Sequence, residues 1–177
     1  MVDPSPVVPS RRAEMESCLM MFFTGFTREA GSIEQQKKKN FAERTAELTR
    51  MYEMVADGAD VLADPTRSLD ELGALLDEGW KLKRGLASAV SSGPIDQAYQ
   101  RALEAGALGG KLLGAGGGGF LLFYVRPDAQ PQVLAAMHEF TYVPIRFDQE
   151  GSSVVLYDPE MTSNYETHRE VLEPSVP

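Results

Sequence analysis

Seven of the eleven residues from Gly109 to Gly119 are glycine, and apolar segments lie on both sides of them. Ordering glycine costs more backbone entropy than ordering any other residue. Such a cluster therefore marks a chain that must adopt conformations closed to side chains, or bare amides that approach a ligand, typically an anion. Lys111-Leu112-Leu113 before the cluster and Phe120 to Val125 after it have strand chemistry, which predicts a strand-loop-strand unit. A solvated linker would carry Ser, Gln or charges instead. Gly114, Gly116 and Gly119 satisfy G-x-G-x-x-G, but a strand follows rather than a helix, so a dinucleotide loop fails its context test. A Walker A loop needs Lys-Ser or Lys-Thr after its last glycine, where this chain has Phe120. A simple tight turn is the bland alternative.

The remainder of the chain bounds the class. Its 177 residues suffice for one domain with a sizeable core, and no apolar run approaches a membrane span. Seventeen basic against 26 acidic residues give a net charge of −9, the opposite of a nucleic-acid binder's balance. The run Lys37-Lys38-Lys39 reads as a solvated helix face. A single cysteine, Cys18, excludes an internal disulfide framework and fits a reducing, cytoplasmic compartment; within an apolar strand it reads as an inert buried thiol. Residues 1–10 are Pro-rich, with neither a basic n-region nor an apolar stretch, so no secretory leader is expected there. His138 and His168 have no companions at metal-ligand spacing, and no metal site is expected.

In chain order, residues 1–10 read as an extended lead-in, and Cys18 to Thr24 as a central strand ended by Gly25. Ser32 caps a predicted helix from Ile33 to about Val61, with Phe41, Thr45, Leu48, Tyr52 and Val55 at near-helical spacing and a weak point at Asp57-Gly58. Ser68 and Glu71 form a capping box before a helix that carries Leu72, Leu76, Trp80 and Lys83. Pro94 starts a third helix that Gly106 stops. After the strand-loop-strand unit, Pro127-Asp128 opens a helix to about Phe140, followed by strands at Val143 to Phe147 and Ser153 to Tyr157. The fold class expected is α+β: a ferredoxin-like antiparallel sheet, β-α-β-β-α-β, with extra helices in the first crossover. The main domain is expected over 11–160, and an acidic, loosely attached tail over 161–177.

The stretch from Ala107 to Phe120, Ala-Leu-Gly-Gly-Lys-Leu-Leu-Gly-Ala-Gly-Gly-Gly-Gly-Phe, resembles the third motif of the GHMP kinases, of the form G-A-x-G-x-K-L-x-G-A-G-G-G-G. Met21 to Arg28, Glu78 to Arg84, Pro94-Ile95-Asp96 and Phe120 to Tyr124 extend the similarity toward bacterial D-glycero-D-manno-heptose 7-phosphate kinases. The resemblance runs from about Arg12 to Tyr157 and covers the C-terminal half of such a kinase. It implies the ferredoxin-like fold, ATP and Mg2+ as cofactors, and a sugar or sugar phosphate as acceptor, heptose 7-phosphate above others. The family's phosphate loop, P-x-x-x-G-L-G-S-S-A, and its catalytic Asp have no counterpart here, so no catalytic residue is assigned. The chain alone is expected to be inactive and to need an N-terminal GHMP domain, from the same gene or a split subunit.

Within that resemblance, Gly114, Ala115, Gly116, Gly117, Gly118 and Gly119 would approach the nucleotide's phosphates. Lys111 reads as a phosphate contact or as a strand-end lysine paired with an acid. Trp80 and Lys83, one turn apart, read as a substrate wall, with a core role for Trp80 the alternative. Thr24 and Arg28 follow a strand end and read as further acceptor contacts. Two other functions stay open: a galactokinase-like acceptor, and a non-catalytic module that binds a small molecule or a protein. An apolar surface left by a missing half also predicts a homodimer.

Overall fold

The computed structural model describes residues 7–25, 44–86, 93–114 and 118–148. The elements are α1 (Pro9–Ser17), β1 (Leu19–Phe23), α2 (Thr45–Ala63), α3 (Asp70–Leu86), α4 (Gly93–Glu104), β2 (Ala107–Leu112), β3 (Phe120–Val125), a 3-10 turn (Pro127–Ala129), α5 (Gln130–Ala136) and β4 (Thr141–Val143). The sheet has the order β2-β3-β1-β4, and all three neighbouring pairs are antiparallel. A β-α-β-β-α-β chain that lays its first strand beside both its third and fourth is the ferredoxin-like arrangement, with three helices among the described residues of the first crossover. Arg28, the predicted start of the long helix, the strand at Ser153 to Tyr157 and the tail over 161–177 lie outside the described residues.

Strand alternation decides which side chains enter the core. Met20 and Phe22 of β1 and Leu121, Phe123 and Val125 of β3 point to one face, where Ile95, Ala98, Tyr99 and Ala102 of α4 cover them together with Val133, Met137 and Trp80. Tyr124 points to the other face and packs with Cys18, Val61 and Leu69, against Leu72, Leu76 and Leu108. No helix among the described residues is long and apolar enough to cross a membrane.

Several boundaries differ from the expectation for identifiable reasons. The lead-in is not extended throughout, because α1 begins at Pro9. Proline in a first helical turn sacrifices no hydrogen bond and fixes a suitable φ. Gly58 does not interrupt α2. Of its expected apolar stripe, Tyr52 is 80% and Val55 70% exposed, Leu48 is half-buried, and Phe41 lies outside the described residues; Val61 is fully buried. The box before α3 is half formed. Ser68 Oγ accepts the Asp70 amide at 3.2 Å, but the Glu71 carboxylate pairs with Arg67. The last described strand is Thr141–Val143 rather than Val143 to Phe147, since Pro144 has no amide hydrogen to continue the ladder.

A feature not anticipated is the buried guanidinium of Arg11. Its Nη2 donates to the carbonyls of Val61 (2.5 Å) and Arg67 (2.8 Å), and its Nε to Leu62 (3.2 Å). The last carbonyls of a helix lack partners within it and carry the negative end of its dipole, so a cation is well placed at the end of α2. Arg11→Met is expected to cost about 2 kcal/mol, lowering the melting temperature by roughly 5 °C. An unshifted thermal melt would show that Arg11 is dispensable.

Candidate functional site

The glycines of the central run fall into two physical classes. Gly109 and Gly110 lie inside β2, and both are glycine because the protein's own atoms leave no room for more. A Cβ at Gly109 would sit 1.9 Å from the Gly73 carbonyl oxygen and 2.9 Å from the Asp77 backbone nitrogen. One at Gly110 would sit 2.5 Å from both the Leu122 carbonyl and the Phe123 ring. Gly114 and Gly119, at the two ends of the loop between β2 and β3, are different. Their φ angles are +83° and +106°, a region that side chains disfavour. A Cβ at Gly114 would meet nothing within 4 Å, and one at Gly119 only the Leu113 carbonyl at 3.8 Å. Among the described residues, none fills the space beside them.

Helix α3 runs alongside β2 and sets where the loop emerges. Gly73 of α3 sits against Leu108 and Gly109, Asp77 against Gly109, and Lys83 reaches Leu112 and Gly114. Ten helical residues rise about 15 Å, and five strand residues about 16 Å, so the two elements keep pace. The glycine pair at positions 73 and 109 permits the close approach. The outward-pointing backbone of β2 is fastened by side chains. Tyr99 Oη donates to Asp77 Oδ1 at 2.9 Å and lies 3.2 Å from the Gly110 carbonyl, while accepting the Gly110 amide at 3.1 Å. Burial first, and then the Asp77 carboxylate, raise the pKa of that hydroxyl above its ordinary value.

Both ends of the glycine loop are tied to the scaffold. Lys83 Nζ donates to the carbonyls of Gly114 (2.7 Å) and Leu112 (3.3 Å). At the other end the Gly119 carbonyl accepts from both Thr24 N and Thr24 Oγ1, each at 2.8 Å. The Leu113 amide donates to the Phe120 carbonyl at 2.8 Å and closes the loop's base.

Of the residues expected at a site, Thr24, Lys83, Gly114 and Gly119 are thus brought together, and Gly118 lies in the same loop. Lys111 is half-buried in β2, opposite Leu122. Ala115, Gly116, Gly117 and Arg28 lie outside the described residues. The wall expected of Trp80 is not formed by its ring. The side chain is 1% exposed and packs 6.0 Å from the Tyr99 ring, centroid to centroid. Although Trp80 and Lys83 are one turn apart, α3 lies beside a strand, so neighbouring positions serve the core and the loop respectively. Tyr99 and Asp77 were not anticipated, because an interior helical tyrosine and aspartate carry no local sign of a partner on a distant strand.

Residues 60–143 match the family model described as GHMP kinases C terminal. The chain thus carries the C-terminal domain of the GHMP kinases, as the glycine run suggests. It is 31% identical over 142 residues to a D-glycero-alpha-D-manno-heptose 7-phosphate kinase of Campylobacter jejuni, covering 78% of this chain and 42% of that protein. It is 32% identical over 122 residues to an L-fucokinase/L-fucose-1-P guanylyltransferase of Bacteroides fragilis, covering 68% of this chain and 13% of that one. Among solved structures, mevalonate kinase of L. major in complex with R-mevalonate superposes with a TM-score of 0.58 at 22% identity, over 68% of this chain and 37% of that one. The chain therefore spans less than half the length of these proteins.

Proposed function

We propose that this chain is the substrate-side, C-terminal half of an ATP-dependent kinase that phosphorylates a sugar or sugar phosphate, with heptose 7-phosphate the favoured acceptor. The observation that carries this reading is the pair Gly114 and Gly119: backbone closed to side chains at both ends of a tethered loop, beside space that no described residue fills. Backbone amides in such a loop suit an anion, because glycine lets the main chain come close. The similarity to sugar kinases supplies the substrate class.

The residues present fit one side of a nucleotide site. The loop from Gly114 to Gly119 would face the terminal phosphates of ATP, and Lys111 would be a cationic neighbour. When bound, ATP and Mg2+ supply the phosphoryl group and neutralise its charge. This chain's own part is to place the loop and to exclude bulk from the acceptor's side. The phosphate-gripping loop, the catalytic carboxylate and the metal ligands are assigned to the N-terminal half, so the chain alone transfers nothing. In the absence of that half, the exposed Tyr52 and Val55 favour self-association.

The test is complementation. The chain is mixed with the N-terminal half of its kinase, ATP and Mg2+, and phosphoryl transfer is followed with heptose 7-phosphate, fucose and galactose as acceptors. Transfer by the mixture and by neither part alone is expected, with heptose 7-phosphate turned over fastest. Preferred turnover of fucose or galactose would reassign the acceptor. No transfer to any of the three would leave a non-catalytic binding module as the better reading.

A further inference from the structure

The tether at the loop's two ends assigns a role that the resemblance does not. We propose that Lys83 and Thr24 are positioning residues that clamp the glycine loop, and that neither is a ligand of the acceptor; the functional part of this inference rests on the kinase reading above. The ammonium of Lys83 sits on two carbonyls, 2.7 Å from Gly114 O and 3.3 Å from Leu112 O. Thr24 brings two donors to one oxygen, Gly119 O, from its amide and its hydroxyl, each at 2.8 Å. Thr24 is itself buried, at 7% exposure. These donors serve the loop in two ways. They fix a glycine-rich backbone that would otherwise pay a large entropy cost on ordering. They also occupy carbonyl oxygens at the two ends of the loop, whose lone pairs would otherwise repel a phosphate.

Because Lys83 belongs to α3 and Thr24 follows β1, the loop's position becomes a property of the scaffold. The charge of Lys83 is directed at the backbone carbonyls of Leu112 and Gly114. A lysine bound directly to the acceptor would influence chiefly its affinity, whereas a clamp influences the geometry in which transfer occurs.

Amide hydrogen exchange on this chain tests the clamp, with the Leu113 and Thr24 amides as reporters of the two ends of the loop and the Val125 amide, bonded to Cys18 O at 2.7 Å, as the reporter of the far end of the sheet. Lys83→Met is expected to speed exchange at Leu113 about tenfold, and Thr24→Val to speed it at position 24 by several-fold, since one lost hydrogen bond to a charged group is worth about a factor of ten. Exchange at Val125 should not change in either variant. Lys83→Arg, which still donates to carbonyls, should restore Leu113. Unchanged exchange at both loop ends, or an equal rise at Val125, overturns the clamp.

In the complemented enzyme, Lys83→Met should lower kcat about tenfold and leave the acceptor KM within about twofold. A raised acceptor KM with kcat retained would make Lys83 an acceptor ligand and overturn the assignment. If the wild-type mixture is inactive, the kinase reading fails, while exchange still decides the clamp.

Discussion

Gly109→Ala is expected to destabilise the domain by about 4 kcal/mol, toward the upper end of what a single overpacking substitution does. The added methyl would lie 1.9 Å from the Gly73 carbonyl oxygen and 2.9 Å from both the backbone nitrogen and the Cβ of Asp77. These atoms are helix backbone or fixed to it, so no flexible side chain can swing aside. Relief requires α3 to move off β2. That movement would also disturb the hydrogen bond between Tyr99 and Asp77 and the reach of Lys83 to the loop. A melting temperature lower by roughly 10 °C should result. Gly114→Ala is the informative contrast. It meets no atom of the described residues within 4 Å, and its φ of +83° should cost only about 1–2 kcal/mol. Equal losses from the two substitutions would show that close approach of α3 to β2 is not what requires glycine at 109.

Tyr99→Phe is expected to cost about 2–3 kcal/mol without changing the fold. The hydroxyl donates to the Asp77 carboxylate and accepts the Gly110 amide, and the Gly110 carbonyl lies 3.2 Å away. Removing it leaves buried polar atoms without that partner, and the penalty follows from the groups stranded more than from the bond lost. The same hydroxyl gives the alkaline limb of the stability curve its sign. Its pKa is raised in the folded state, chiefly by burial and then by Asp77, over an unfolded value near 10. The folded state therefore holds this proton more tightly. Its contribution is complete below about pH 10 and drains away as pH rises above that value. Tyr124, raised by burial and by contact with Cys18, adds to the same limb. Chemical denaturation at pH 9 and above should show stability falling with pH, and falling less steeply in Tyr99→Phe. Parallel curves for the two proteins would remove Tyr99 as a source of the slope.

These residues also mark what can be read from sequence and what cannot. The strand-loop-strand unit was legible because seven glycines among apolar segments leave few alternatives. The ferredoxin-like order followed from the succession of elements. What sequence does not reveal is which glycine answers to which constraint. Gly109 and Gly114 stand five positions apart in one run, yet one is dictated by a helix folded against it from 36 residues upstream and the other by its own φ. The spacing of Tyr52 and Val55 gave the correct period for α2 but the wrong face, because periodicity marks a stripe and says nothing of what covers it. Trp80 and Lys83 invited a shared role from their helical spacing. Only the position of α3 beside an edge strand separates a core indole from an ammonium bound to the loop. The tether of Thr24 to Gly119 joins positions 95 residues apart and leaves no local pattern.

The way α3 lies along β2 has one more consequence. An outermost strand normally offers a row of unsatisfied amides and carbonyls on which a foreign chain can template itself. Here the Gly110 amide and the Leu112 carbonyl are already taken by a phenol and an ammonium. Sheet-to-sheet polymerisation through this border is disfavoured, and the other border among the described strands is the three-residue β4, too short to template much pairing.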